Sequence, residues 1–144
     1  MKKLSVIFIS IILLVLSACS GNKNELYDIQ HQISNYTDVK CTTEKQEYSQ
    51  DVKVIRYTLT NVTDGEAWIN SDSECFELQK LVDSTWKCVG EKQERCWTEL
   101  ALLLPAGESE TREINLEEYF YLPLEKGEYR IEIEGILSNT FKIS

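Results

Sequence analysis

Residues 127–134 constrain the fold of this chain more than any other stretch. Tyr129, Ile131 and Ile133 interleave with Glu128, Arg130, Glu132 and Glu134, so an extended backbone would carry apolar side chains on one face and charges on the other. Such a strand must bury its apolar face against a second layer. The charged set, Glu132 and Glu134 included, is expected to form a solvated sheet face. Residues 52–60 repeat the pattern, with Ile55, Tyr57 and Leu59 on one face and Arg56, Thr58 and Thr60 on the other. No long helical period competes with it. The expectation is an all-β antiparallel sandwich of about seven to eight strands.

Turn chemistry divides the remainder. Ser49-Gln50-Asp51 separates a strand over residues 39–48 from the one over 52–60, and Asn61-Val62-Thr63-Asp64-Gly65 ends the latter. Residues 67–69 read as a short strand and 70–74 as a polar loop. Residues 75–82 and 85–89 form a hairpin around Asp83-Ser84, whose register sets Leu81 opposite Trp86 and Gln79 opposite Cys88. Trp86 is expected to face the core. The apolar run 100–104 ends at Pro105-Ala106-Gly107, residues 109–116 form a strand with Ile114 and Leu116 inward, and 117–124 are an aromatic-rich connection. Phe141 and Ile143 close a final strand. Ahead of the β region, Leu26, Ile29, Ile33 and Tyr36 recur at helical spacing, which fits either a short docked helix or an irregular lead into the first strand.

The chain opens on Lys2-Lys3, followed by a run over residues 4–18 whose only polar members are Ser5, Ser10 and Ser17. That run is signal-peptide length, short of the roughly 20 apolar residues that span a bilayer. It ends in Leu16-Ser17-Ala18-Cys19, which resembles the lipobox of bacterial lipoproteins. The resemblance implies that residues 1–18 are removed, that the Cys19 thiol receives diacylglycerol through a thioether, and that its new amino group is acylated, palmitate being a typical chain. Several acyl chains at about 0.8 kcal/mol per methylene anchor stably where one would not. Residues 19–36 would then be lipidated cysteine and tether, and the site of action the extracytoplasmic face of the cell membrane.

The precursor carries a formal charge of −9, and loss of Lys2 and Lys3 makes the mature chain two units more negative. With no basic stripe, nucleic acid is excluded as a partner, and anionic headgroups would repel the protein surface as a whole. Beyond Cys19 stand Cys41, Cys75, Cys88 and Cys96, an even number in an exported setting, which suggests up to two disulfides. Free structural thiols and a metal site are the other two states open to them. Metal is the weakest, because no pair has C-x-x-C spacing and His31, the sole histidine, lies in the tether. The hairpin register carries Cys75 well past Cys88, disfavouring that pair, and Cys75–Cys96 is the preferred one.

Tyr57-Thr58-Leu59-Thr60-Asn61 with Asp64, residues 78–83 with Trp86, Leu104-Pro105-Ala106-Gly107-Glu108-Ser109, and Gly127-Glu128-Tyr129-Arg130-Ile131 together resemble a family of bacterial immunoglobulin-like domains. The resemblance covers about residues 37–144 and implies an immunoglobulin-like sandwich there, of a kind found in short exported lipoproteins and envelope proteins. Gly127-Glu128-Tyr129 also resembles a tyrosine corner, in which the phenol bonds back to the backbone near the start of a strand. The motifs are structural and bring no catalytic or binding residue with them.

Candidate chemistry is sparse. His31 has no evident acid or base partner, so a serine or cysteine nucleophile lacks its usual activator. Asp64-Gly65-Glu66 and Asp72-Ser73-Glu74 offer oxygen ligands, but neither has calcium-loop spacing. Trp68, Trp86 and Trp97 could stack on a sugar or peptide, with Trp97, beside Cys96, the most exposed candidate for ligand contact. The expectation is a non-enzymatic interaction module without cofactor or metal, held to the membrane through Cys19 and contacting an envelope protein or polymer. The alternative is a proteinase inhibitor that presents loops 70–74 and 90–97.

Overall fold

The computed structural model describes residues 23–30, 38–70, 76–92 and 101–144. No helix among them is long and apolar enough to cross a membrane. They form twelve strands and one single-turn helix.

The alternation over 52–60 becomes β4 (Val54–Asn61), which buries Ile55, Tyr57 and Leu59. It lies between β2 (Val39–Thr43) and β9 (Ser109–Asn115), both antiparallel to it. The outer face of this three-stranded sheet is closed by cross-strand pairs. Arg56 meets Glu113 at 3.3 Å, Thr58 meets Thr111 at 2.9 Å and Thr60 meets Ser109 at 2.8 Å.

The larger sheet is built on β10 (Gly127–Ile133), the alternating stretch. It pairs on one side with β6 (Glu77–Val82) and on the other with β12 (Phe141–Ile143) and β11 (Ile136–Leu137). The sheet runs β1 (Leu26–Asp28), β7 (Thr85–Val89), β6, β10, β12, β3 (Glu47–Tyr48). Two further strands, β5 (Ala67–Asn70) and β8 (Ala101–Leu104), form a separate antiparallel pair. Ile55, Leu59 and Ile114 from one sheet, Leu78, Ile131 and Phe141 from the other, and Ile69 and Leu104 from the pair share one hydrophobic core. This is the expected immunoglobulin-like β-sandwich.

The β6–β7 hairpin has the expected register, Gln79 opposite Cys88 and Leu81 opposite Trp86. Asp83 at φ 48° and Ser84 at φ 64° supply the two left-handed residues that a tight two-residue turn requires.

Elsewhere the structure departs from the sequence reading. Residues 39–48 are two strands, because the chain turns after Thr43 and carries Tyr48 into the other sheet, where β3 runs parallel to β12. Tyr48 is buried there, edge-on to Phe141 at 5.5 Å. Such crossings and the two-residue pieces raise the strand number above the expected one. The strand at 109–116 stops one residue early, and Leu116–Tyr119 form the single helical turn (α1). The helical spacing from Leu26 does not produce a helix over 26–28: this part of the expected tether pairs with β7, Leu26 against Val89 and Tyr27 against Cys88. Gly90 makes that docking possible. Its amide donates to the Glu25 carbonyl at 2.6 Å, and a Cβ on it would stand 2.6 Å from the Tyr27 ring.

Candidate functional site

Beyond α1 the chain must return to the start of β10. It does so between Asn24, ahead of β1, and Gln50, beyond β3, held by buried anchors at Phe120 and Leu124. Leu124 is clamped by Gln50: its amide donates to the Gln50 carbonyl at 2.9 Å, and the Gln50 side chain donates to the Leu124 carbonyl at 3.0 Å. Between the anchors the chain bulges outward through a cis Leu122–Pro123 bond. Asn24, just ahead of β1, grips this bulge. Its side chain donates to the Tyr121 carbonyl at 2.8 Å and accepts from the Tyr121 amide at 2.7 Å, as a neighbouring strand would.

A cleft of about 610 Å³ lies between these walls and the sheet, within the range of small-molecule sites. Its apolar lining comes from Leu26, Val89, Tyr121, Leu122, Pro123 and Leu124, and its polar side from Lys23, Asn24, Gln50, Lys80, Glu125 and Tyr129. Lys80 is nearly buried; its ammonium lies 2.6 Å from the Glu125 carboxylate and 5.8 Å from the centre of the Tyr129 ring. The Lys80 hydrogen bond, and then its charge, hold the Glu125 carboxyl below the usual range. The Tyr129 hydroxyl donates to the Glu125 carbonyl at 2.7 Å, the contact expected of a tyrosine corner. Burial and, after it, the Glu125 charge push this phenol upward. Gly127 leaves room for the lysine, since a Cβ there would stand 3.0 Å from Lys80 Cε. Beyond the Asn24–Tyr121 clamp a smaller polar recess is lined by Lys23, Glu25, Tyr27, Gly90 and Glu91.

The cleft therefore combines an apolar lining with two lysines, Lys23 and Lys80, while its Asn24 and Gln50 amides and its Tyr129 phenol bond to backbone. None of its residues was singled out from sequence as a binding residue. The available signal was the apolar run Tyr121-Leu122-Pro123-Leu124 in a connection that should be polar, together with a lysine among the apolar residues of β6.

The sequence-derived candidates lie elsewhere. Cys41 is buried in the core, its thiol pushed up to about 12 by burial. Cys88 lies on the opposite face of the larger sheet. Burial, then hydrogen bonding to Glu77 at 3.2 Å, and then the charges of Glu77 and Glu132, raise its thiol to about 12. Both are free thiols in this structure, the second of the states the sequence left open to them. Cys41 points into the sandwich and Cys88 away from it, so burial makes each a separate structural thiol. Cys19, His31, Cys75, Cys96 and Trp97 fall outside the described residues, as do the Cys75–Cys96 pairing and most of the two inhibitor loops.

Two side-chain placements are also corrected. Glu132 is buried, 4% exposed, instead of solvated. It accepts from the Gln79 side chain at 2.8 Å and from the Gly135 amide at 3.1 Å, and it stands opposite Glu77, to which the same Gln79 amide donates at 3.3 Å. A shared donor offsets the repulsion of facing carboxylates. Trp86 is half-buried on this same outer face, not in the core, and the Arg130 guanidinium covers its ring at 4.3 Å. Trp68 stands opposite Leu103 on the β5–β8 pair and is 60% exposed. No group of three or more His, Cys, Asp or Glu among the described residues is arranged to hold a metal ion.

Residues 35–142 match the family model of bacterial Ig-like domains, and the chain belongs to that family. No curated protein matches it significantly. Among solved structures it is similar to a β-glucosidase from Erythrobacter marinus, with 17% identity, TM-score 0.39, and coverage of 73% of this chain and 15% of that one. It is similar also to the Pseudomonas fluorescens alkylpurine DNA glycosylase AlkC bound to DNA containing an abasic site analog, at 12% identity, TM-score 0.37, and 74% and 30% coverage. A β-glucosidase from Listeria innocua gives 18% identity, TM-score 0.37, and 76% and 16% coverage. The chain thus spans less than a third of each of these proteins, and likenesses this slight carry no functional argument.

Proposed function

We propose that this protein is a non-enzymatic binding module, held on the extracytoplasmic face of the cell membrane by lipid on Cys19, that engages another component of the envelope. The observation that carries the reading is an Ig-like domain, matched over residues 35–142, whose larger sheet is joined by a strand from Leu26, close behind the lipobox-like Leu16-Ser17-Ala18-Cys19. So short a connection holds the domain against the bilayer surface. The non-enzymatic part is supported by the state of the described side chains: the thiols of Cys41 and Cys88 are held protonated, and the Lys80 amine in the cleft is engaged by Glu125.

Anchoring is tested by growing expressing cells with an alkyne-tagged fatty acid and fractionating them. The mature protein should carry the tag and sediment with membranes, whereas Cys19→Ala should lose both properties. A tagged Cys19→Ala protein would overturn lipidation at this residue. Binding is tested by cross-linking the intact lipoprotein in cells: one dominant captured envelope component supports a binding module. Turnover of an envelope substrate by the purified protein would overturn the non-enzymatic reading.

A further inference from the structure

We infer that the cleft between β1 and the Tyr121–Glu125 bulge binds a single acyl chain ending in an anionic headgroup, drawn from the membrane beside the domain. The position argument rests on the anchored reading above; the chemistry of the cleft does not.

Three features converge on this ligand. First, the trough is concave and apolar along Leu26, Val89, Leu122 and Leu124, while Gln50, Asn24 and Tyr129 spend their hydrogen bonds on backbone partners. A polar ligand such as a sugar would find few open partners among them, and an apolar chain would displace none of these bonds. Second, charge is distributed unevenly. In a chain of net charge −9, Lys80 and Lys23 both line this cleft, against Glu125 alone among acidic residues. Glu125 accepts one of the three Lys80 donors, and its side chain is 61% exposed, so a second anion can share the ammonium. The acidic Glu25 and Glu91 line the neighbouring recess, beyond the Asn24–Tyr121 clamp. The headgroup therefore belongs at Lys80 and the acyl chain along the apolar lining.

Third, the wall of the cleft is the segment that leads to the anchor. Only Ser20, Gly21 and Asn22 separate Cys19 from Lys23. Even fully extended, these steps reach about 14 Å. A cleft so close to the headgroup layer can take up a single-chain amphiphile without passing it through bulk water.

The test uses the mature chain with Cys19→Ser, which carries no lipid, so that failure of binding and failure of anchoring are read separately. Hexadecanoate and palmitoyl lysophosphatidylglycerol are titrated below their micelle concentrations, with hexadecanol as the uncharged control, by calorimetry and native mass spectrometry. One-to-one binding of an anionic amphiphile, with hexadecanol at least about tenfold weaker, is expected from loss of a charge-assisted contact. Preference between the two anionic ligands identifies a carboxylate or a phosphate source. Lys80→Met keeps the apolar stem and should weaken the anionic ligand about tenfold or more without weakening hexadecanol. Leu26→Trp should fill the trough and abolish binding of all three, its fold checked by thermal unfolding. Equal binding of hexadecanol overturns the headgroup assignment. Binding that survives in a folded Leu26→Trp protein overturns the site, and no binding of any amphiphile overturns the proposal. Binding by Cys19→Ser that native, lipidated protein lacks would show the trough filled by the protein's own acyl chain, and overturn a free ligand.

Discussion

Replacement of Asn61 tests how the sandwich is tied together where the two-stranded pair meets the main sheets. Asn61 is the last residue of β4, 1% exposed, and its amide has four partners. It donates to the Gly65 carbonyl at 2.7 Å and to the Leu104 carbonyl at 2.9 Å, and accepts from the Thr63 amide at 2.9 Å and the Thr63 hydroxyl at 2.8 Å. Gly65 and Thr63 lie near solvent and can recover water, but the bond to Leu104 is buried and links β4 to β8. In Asn61→Ala, loss of that donor with partial loss of the other three should cost about 2–4 kcal/mol. Against a typical stability of 5–15 kcal/mol this is a large fraction. The urea midpoint, followed by tryptophan fluorescence, should fall by about 1–2 M. Asn61→Asp separates the contributions. It keeps both acceptances from Thr63 but turns a carboxylate toward two carbonyls, so it should be at least as damaging as alanine. An Asn61→Ala midpoint within experimental error of the parent, or an Asn61→Asp protein as stable as the parent, would refute this account of the joint.

Two further outcomes follow from backbone and burial. Ser84→Gly removes a side chain from a left-handed position and should stabilise the hairpin by about 0.5–1 kcal/mol, read as a higher urea midpoint; a lower one would mean that the turn is not left-handed there. The buried Cys41 thiol keeps its proton in the folded state to about 12, whereas the unfolded chain releases it from about pH 8.5. The unfolded state then binds fewer protons, so stability falls as pH rises, by about 1.5–2 kcal/mol at pH 10 from this group. Cys41→Val should lessen the decline between pH 8 and 10, leaving the share due to Cys88, and an unchanged slope would assign it elsewhere.

Local pattern carried much of the fold. Strand positions for β4 and β10, the inward sets Ile55, Tyr57, Leu59 and Tyr129, Ile131, Ile133, and the β6–β7 register were all legible, because side-chain alternation and a two-residue turn are properties of consecutive residues. The tyrosine corner was legible for the same reason, with donor and acceptor four residues apart. The candidate site was not. Lys80 and Glu125 are far apart in sequence, and Asn24 and Tyr121 farther still, so nothing local announces that they meet.

Glu132 shows where the boundary runs. Its place in the alternation correctly puts it on the face opposite Ile131 and Ile133, yet that face carries Gln79 from β6, which bonds to Glu132, and Arg130 of the same strand, which is stacked on Trp86 from β7. Period two states which side chains share a face; whether the face meets water depends on what the adjoining strands bring to it. The same distinction separates Cys41 from Cys88, two thiols that the sequence groups together and the structure places on different sheets, one inside the core and the other on an outer face. Strand character, turn positions and the domain's family are thus written in runs of a few residues. The cleft, the free thiols and the buried carboxylate arise only when distant segments pack, since burial and hydrogen-bond partnership are properties of the assembled surface, not of any one stretch.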